Sequence, residues 1–390
     1  MITRKEEKMH VLPPDHYGLV SSLAKGLSDQ GMALSILEGI RPGVVVVNDP
    51  SAPTVLFMAA SESAFAWTYL AGDPSERGFL KALGTWVFDE KGLGEDVVFT
   101  FLTTDMPTWE EALPAFLGPR TVISDERLHY EADVLPPRAW RDRVPEGYQI
   151  VDVDRALLDS EVEMHATVSE WLTNNFRSTD GFLKHGVGAA AVHQGKVVGW
   201  ILADSFVGGL SDIGGEVVEE HRRKGLAFAA TCRTVELALD KGATRVGWHC
   251  HAINLPSIKT AEAAGFERKQ SYTVYPVQFD PAKHGKLVEI IAGEYVERGD
   301  AAIAAAEYAK ADESLTLALQ LRPEASADVF HSAARAAAGN GRADQAFDWL
   351  TRAIESGWSA FDETQTRTEF IVLHQDARWA DLLKRMEGTA

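Results

Sequence analysis

The sequence predicts an α+β fold: a mixed sheet flanked by helices, preceded by a β-rich α/β domain and followed by an all-α, repeat-like region. Three observations predict it. Strand-like and helix-like runs alternate between residues 148 and 277, with a hairpin among them. Prolines at Pro136-Pro137 and the run Pro145-Glu146-Gly147 interrupt the chain just before that stretch. From about His284 the sequence is alanine-rich and helical. Domains are therefore expected at 1–145, 146–283 and 284–390, in line with about 100–200 residues per domain.

The first segment carries a helical stretch near Tyr17–Leu37, then strands at Val44–Val47 and Thr54–Met58. They are separated by Asn48-Asp49-Pro50-Ser51-Ala52-Pro53, a turn composition. Val97–Leu102 is a further β-rich run, and no catalytic motif stands in this segment. In the second segment, Tyr148–Val153 reads as a strand and Arg155–Trp171 as a helix. Ala189–His193 and Val197–Ala203 flank Gln194-Gly195-Lys196 as a hairpin. A strand near Ile213–Val218 leads to a helix over Leu226–Lys241, ended by Gly242 as a C′ glycine. Its apolar stripe is Phe228, Cys232, Val235 and Leu239, so Cys232 is a core residue. Arg245–His251 is a strand, Pro256–Ala264 a short helix and Ser271–Val277 a last strand.

Composition excludes several functions. The 57 acidic against 38 basic residues give a formal charge of -19, which repels phosphate backbones, so no nucleic-acid partner is expected. The longest apolar runs, such as Gly43–Val47, have strand length, so no membrane span is expected. Cys232 and Cys250 are too few for a disulfide framework, and the charged N-terminus Met1–Lys8 has no apolar run behind it. Together these lead to the expectation of a cytoplasmic protein.

The chemistry concentrates in Glu216-Val217-Val218-Glu219-Glu220-His221-Arg222-Arg223-Lys224-Gly225-Leu226-Ala227. A strand ends, a basic glycine-containing loop follows, and a helix begins. Small residues at Gly225 and Ala227 let backbone N–H groups face a ligand at a helix N-terminus, where the macrodipole favours an anion. Arg222, Arg223 and Lys224 add positive charge. Alone, the pattern Arg222-x-x-Gly225-x-Ala227 is a surface basic loop. Downstream, however, comes Asn254-x-x-Ser257-x-x-x-Ala261-x-x-x-Gly265-Phe266. In this order and at this separation, the two motifs resemble those of the GNAT acetyltransferases over about 130 residues. The run from Trp248 to Gly265 is most similar to a two-part branch that includes zwittermicin A resistance proteins, in which a β-rich half precedes the GNAT domain.

The resemblance implies acetyl-CoA as cosubstrate and a small-molecule amine as acceptor. It implies that Val217 and Val218 offer backbone groups to the pantetheine arm, one N–H polarising the thioester. Arg222 to Ala227, Leu226 included, would cradle the pyrophosphate, and Asn254 and Ser257 would meet the pantetheine. The family's tyrosine, seven residues past the asparagine, is here Ala261. Ser257 is the first substitute acid, with Cys250 and Tyr272 behind it. Candidate bases are Glu216, His249 and His251, the two histidines sharing one strand face. His249-x-His251 lacks a third ligand at a familiar spacing, so no metal is expected. Trp171 and Trp200 read as core residues that could line an acceptor pocket. Two other readings stand beside the enzyme: a non-catalytic acyl-CoA-binding module, and a protein acetyltransferase that docks a protein partner through the C-terminal helices.

In that C-terminal region Ala311, Leu315 and Ala318 recur 35 positions on as Ala346, Leu350 and Ala353. The period is close to the roughly 34 residues of tetratricopeptide repeats, which this region resembles, with Tyr295 and Gly299 in the first helix and Pro323 after the first copy. A plain helical bundle is the alternative.

Overall fold

A computed structural model describes residues 9–387. Met1–Lys8, which carry the expectation of no leader, lie outside the described residues. The chain divides into two compact units, Met1–Asp280 and Pro281–Ala390.

In the first unit the strands are β1 (His10–Val11), β2 (Val44–Val47), β3 (Val55–Glu62), β4 (Phe65–Gly72), β5 (Phe99–Thr104), β6 (Asp125–Ala132), β7 (Tyr148–Asp152), β8 (Gly188–His193), β9 (Lys196–Ala203), β10 (Leu210–Val217), β11 (Arg245–His251) and β12 (Glu267–Gln278). Among the described residues they form one sheet in the order β1-β2-β3-β4-β5-β12-β6-β11-β10-β9-β8-β7. Pairing is antiparallel except for β4 with β5 and β10 with β11. The 1–145 and 146–283 segments therefore interleave: β6 comes from the first, yet it lies between β12 and β11 of the second.

The helices of this unit are α1 (Gly31–Leu37), α2 (Arg77–Gly84), α3 (Leu113–Leu117), α4 (Arg155–Leu158), α5 (Ala166–Phe176), α6 (Thr179–His185), α7 (Leu226–Asp240) and α8 (Leu255–Ala263). On one half of the sheet, α2 and α3 cover one face through Phe79, Leu83 and Phe116; residues 12–36 cover the other through Leu27 and Ile36. On the other half, α7 and α8 pack on β6, β10 and β11, while α5 and α6 pack on β8 and β9. Cys232 and Val235 of the expected α7 stripe are wholly buried, with Phe228 and Leu239 packed at the edge of the same core. The Gly242 stop is a Schellman motif: Ala243 N–H donates to Ala238 O at 2.9 Å and Gly242 N–H to Leu239 O at 3.0 Å. The hairpin after β8 has Gln194 and Gly195 both at positive φ (49° and 76°), the type I′ geometry that matches strand twist.

Two expected helices are corrected. The Tyr17–Leu37 stretch is two 3-10 segments, Pro14–Val20 and Leu23–Leu27, and only then α1. Arg155–Trp171 breaks into α4 and α5. Asp154 caps the first through Leu157 N–H, and His165 caps the second, so a new N-terminus starts mid-run. Sequence reading also left β4, β6, α2 and α3 unassigned.

The second unit is helical: α9 (Pro281–Ala304), α10 (Tyr308–Leu321), α11 (Ala327–Gly339), α12 (Ala343–Glu355), α13 (Phe361–Thr366) and α14 (Ala377–Glu387). Consecutive helices from α9 to α12 pack on one another. All six recurring positions, Ala311, Leu315, Ala318, Ala346, Leu350 and Ala353, are buried on α10 and α12. Gly299 lets α9 approach α10, since a Cβ there would meet Leu315 Cγ at 2.5 Å. Among the described residues, no helix is long and apolar enough to cross a membrane.

Candidate active site

The sheet forks between β10 and β11. The two strands pair only over Leu210–Asp212 with Arg245–Gly247. Beyond that, β10 stays with β9 over Ile213–Val217, and β11 stays with β6 through His251. Antiparallel ladders bond alternate residues. Asp204 N–H donates to Asp212 O at 2.8 Å, and Val218 N–H donates to Val198 O at 2.9 Å. The even-numbered residues of β10 thus bond to β9, which turns the backbone edges of Ile213, Gly215 and Val217 into the fork. On β11, Ala252 N–H donates to Glu126 O at 2.9 Å, so the same alternation turns Gly247, His249 and His251 inward. Of the two valines expected to serve a thioester, only Val217 has an edge facing the gap. Val218 is corrected, because its N–H is already taken by β9.

The basic loop lies at the open end of β10. Arg223 and Gly225 take positive φ, 60° and 80°, and the loop turns directly into α7. Gly225 is the N-cap residue and no side chain caps the helix, so its first N–H groups remain for a ligand. A Cβ at Gly225 would meet nothing nearer than Arg143 O at 3.9 Å, so the space above the glycine is open. Buried Leu226 anchors the helix start against Val217, Val198 and Ala191, with Ala227 at that core's edge. The cations divide their work. Arg222 Nε donates to Val217 O at 2.8 Å, tying the loop to β10. Lys224 Nζ donates to Tyr148 Oη at 2.9 Å and Glu220 O at 3.1 Å at the exposed edge of the loop. Arg223 is exposed.

On the face toward α7 and α8, Asn254 accepts the Ser257 N–H at 3.2 Å and so caps α8. Ser257 Oγ accepts the Trp248 indole N–H at 3.0 Å, beside the buried Cys250. Burial pushes the Cys250 thiol up, with the Ser257 hydrogen bond opposing; Cys232 is pushed up to about 12 by burial. Neither is a thiolate at neutral pH. Ala261 is wholly buried in the core of this face, so that position supplies packing.

The opposite face carries the titratable groups. His249 stacks on its cross-strand neighbour His129, with centroids 4.5 Å apart and planes at 5°. Its Nδ1 is 3.0 Å from Tyr272 Oη, and its Nε2 is 3.6 Å from Asp212 Oδ1. His251 shares this face but is bound to Asp125 and Arg127 farther along the strand, away from the fork apex. Glu216 lies on the β10 face shared by its cross-strand neighbour Trp200, exposed near the loop. Of the three candidate bases, His249 alone stands at the apex. Trp200 is buried against His165, and Trp171 donates to Ala203 O at 3.0 Å.

Sequence reasoning missed Asp212 and His129. Asp212 had a signal: one acid inside the small and apolar strand Leu210-Ser211-Asp212-Ile213-Gly214-Gly215, where a buried charge needs a reason.

A family profile described as GNAT acetyltransferase matches residues 21–275. A GCN5-related N-acetyltransferase-like protein from Streptococcus suis 89/1591 is a structural relative, 23% identical with TM-score 0.51, over 67% of this chain and 98% of that one. A GCN5-related N-acetyltransferase from Sphaerobacter thermophilus is 17% identical with TM-score 0.46, over 71% and 96%. A tandem GNAT protein from the clavulanic acid biosynthesis pathway is 16% identical with TM-score 0.46, over 70% and 99%. No curated protein matches the chain.

Proposed function

Because this chain belongs to the GNAT acetyltransferase family, we propose that it moves an acetyl group from acetyl-CoA directly to the amine of a small molecule. The observation that carries this reading is the fork: among the described residues, β10 beyond Asp212 and β11 beyond Gly247 face no partner strand on their inner edges, and β10 leads into an uncapped helix N-terminus at Gly225. Acetyl-CoA supplies an activated thioester carbon. The chain supplies position and charge. The α7 amides, with Arg222 and Arg223, hold the pyrophosphate, and the fork edges hold the pantetheine amides as a third strand would. The Val217 N–H faces the thioester oxygen, where charge develops during attack. Asn254 caps α8 and so fixes Ser257, whose hydroxyl would relay a proton to the leaving thiolate.

Calorimetry with CoA tests the first step. The intact chain is expected to bind, and Arg222→Glu combined with Gly225→Val to lose at least tenfold in affinity, about 1.4 kcal/mol. Unchanged affinity in that variant would sink the reading. Thiol release from acetyl-CoA over a panel of amines tests turnover. A second reading, an acyl-CoA-binding module without turnover, is favoured by Ala261, and tight CoA binding with no thiol release on any acceptor would support it. We also propose tetratricopeptide-like packing for α9 to α12. A protein acceptor docked there would give turnover on protein and none on small amines.

A further inference from the structure

Resting on the acetyl-transfer reading, we infer that residues 28–41 of the N-terminal half form a clasp on the apex of the cofactor fork, and that Asp212, held by Gly31 of that clasp, is the positioning residue that keeps β10 and β11 apart for acetyl-CoA.

The molecule carries its own control. The sheet order maps onto itself when every strand number advances by six, β4 onto β10, β5 onto β11 and β12 onto β6, with the parallel pairs β4–β5 and β10–β11 exchanged. The two parallel pairs start alike: Val98 N–H donates to Ala64 O at 2.9 Å, as Thr244 N–H donates to Gly209 O at 2.8 Å. From there they differ. β4 and β5 pair from Phe65–Phe99 to Leu70–Thr104, and Asp105 N–H extends the ladder to Leu70 O at 3.1 Å. β10 and β11 part after Asp212–Gly247, the third pair in register. In the closed pair the third position is Trp67–Phe101, whose rings stack across the strands with centroids 5.3 Å apart and planes at 24°. Such a cross-strand pair holds two strands together. In the open pair Gly247 offers no side chain, and Asp212 turns to α1 instead.

Gly31, the first residue of α1, donates its N–H to Asp212 Oδ2 at 2.8 Å. A Cβ at Gly31 would stand 2.5 Å from that oxygen and 2.2 Å from Ser205 Oγ, so the contact needs glycine. On its other side, Asp212 Oδ1 lies 2.0 Å from where a Cβ of residue 247 would be, so the carboxylate covers β11 at the point where the strands part. Asp212 is 4% exposed, and its Oδ1 has no hydrogen-bond partner among the described residues. A buried carboxylate with a single backbone donor costs stability. Packing alone does not call for it, since a large apolar side chain closes the counterpart pair. The same segment grips the neighbours of Asp212. Arg245, the first residue of β11, donates to Ser28 O at 3.1 Å, and the buried Arg41 reaches Asp204 O, just past β9, at 3.5 Å. One stretch of the N-terminal half thus fixes β9, β10 and β11 at the apex. Released from it, β10 and β11 are free to pair on as β4 and β5 do, which covers the edges of Gly215 and Val217 that the pantetheine needs.

The test uses the full chain and CoA. Asp212→Ala removes the hold of the clasp and is expected to lower CoA affinity, read by calorimetry, by about tenfold or more. Asp212→Asn keeps an acceptor for the Gly31 N–H and is expected to stay within about threefold of the native chain. Gly31→Ala, a change that otherwise favours a helix, leaves Asp212 in place and adds only the crowding Cβ. It is expected to weaken binding by about threefold or more, and it stands in for Asp212→Ala if that variant does not fold. Amide exchange of the CoA-free chain separates positioning from support of the fold. In either clasp variant the Gly215 and Val217 amides are expected to exchange more slowly, by about tenfold in Asp212→Ala, as the strands close, with the rest of the sheet unchanged. Native CoA affinity in Asp212→Ala or Gly31→Ala, an Asp212→Asn chain as weak as Asp212→Ala, or exchange at Gly215 and Val217 that is unchanged or that quickens along with the whole sheet would overturn the inference. A native chain that binds no CoA counts instead against the acetyl-transfer reading, and the exchange measurement still decides on the clasp.

Discussion

Asp204 shows how burial sets chemistry one residue at a time. Its backbone sits at the end of β9, and its carboxyl is pushed up to about 7 by burial; Arg41 opposes the shift and Asp212 adds to it. Arg41 is itself buried, tied to Glu62 and to Asp204 O at 3.5 Å. An acid whose folded pKa is raised binds its proton in the native state while the unfolded chain has already released it near pH 4. Stability attributable to Asp204 is therefore fully present below about pH 4 and falls as pH rises to about 7. Asp204→Asn is expected to flatten the stability–pH curve in that window, read by denaturant midpoints at pH 4, 5.5 and 7. An unchanged slope would contradict the assignment. None of this was legible in the sequence. Arg41 and Asp204 are 163 residues apart, as Gly31 and Asp212 are 181 apart, and single-sequence periodicity says nothing about partners at that range. His249 was legible as a candidate base because a histidine pair on one strand face is a local pattern. What selected it over His251 was the fork, a property of two strands.

At the scale of elements, one carboxylate ties α7 to the short turn at Arg138–Arg143, and an arginine bound to that carboxylate ties the helix to the sheet. Glu236 accepts the Trp140 indole N–H at 3.0 Å, Arg141 at 3.0 and 2.7 Å and Arg233 at 2.9 Å, while Arg233 also grips Asp152 of β7. Burial alone would raise the Glu236 pKa; hydrogen bonds from Arg141, Trp140 and Arg233 outweigh it and hold the carboxyl below its usual range. Its stabilisation is present above the unfolded carboxylate pKa and lost as pH falls through the lower folded value. Glu236→Gln keeps an acceptor for Trp140 but removes the charge. Because Arg141 is half-exposed, the expected loss is discounted to about 2 kcal/mol, measurable by chemical denaturation at neutral pH and shrinking in acid. A change near zero would place the anchoring of α7 in its apolar stripe instead. The sequence showed α7 closely, from the periodic stripe to the Gly242 stop, because a helix carries its own signals. It hid β6, although Leu128, Tyr130 and Ala132 alternate as a half-buried strand should. The intervening Arg127, His129 and Glu131 are polar yet covered, so the polar face of the strand passes for loop.

For the whole molecule, the decisive feature is that β6 and β12 cross the boundary the prolines suggest. β11 pairs with β6 across Val246–His251, and β12 pairs with β6 on one side and β5 on the other. Residues 146–280 alone would leave β11 and β12 with bare edges and would uncover Trp248, Cys250 and Phe266, which pack in a core shared with Leu128, Tyr130 and Trp140. They would also lose Gly31 from Asp212. The motif that makes the chain legible is thus carried on a piece that the rest must complete. Expressed as 146–280, the chain is expected to lack cooperative unfolding and CoA binding, whereas 1–280, which contains the whole sheet, is expected to retain both. Circular dichroism melts and calorimetry with CoA on the two fragments decide it. A cooperative, CoA-binding 146–280 would mean that β10 and β11 hold the fork open without β6, and that the N-terminal half is an addition to the catalytic sheet instead of part of it.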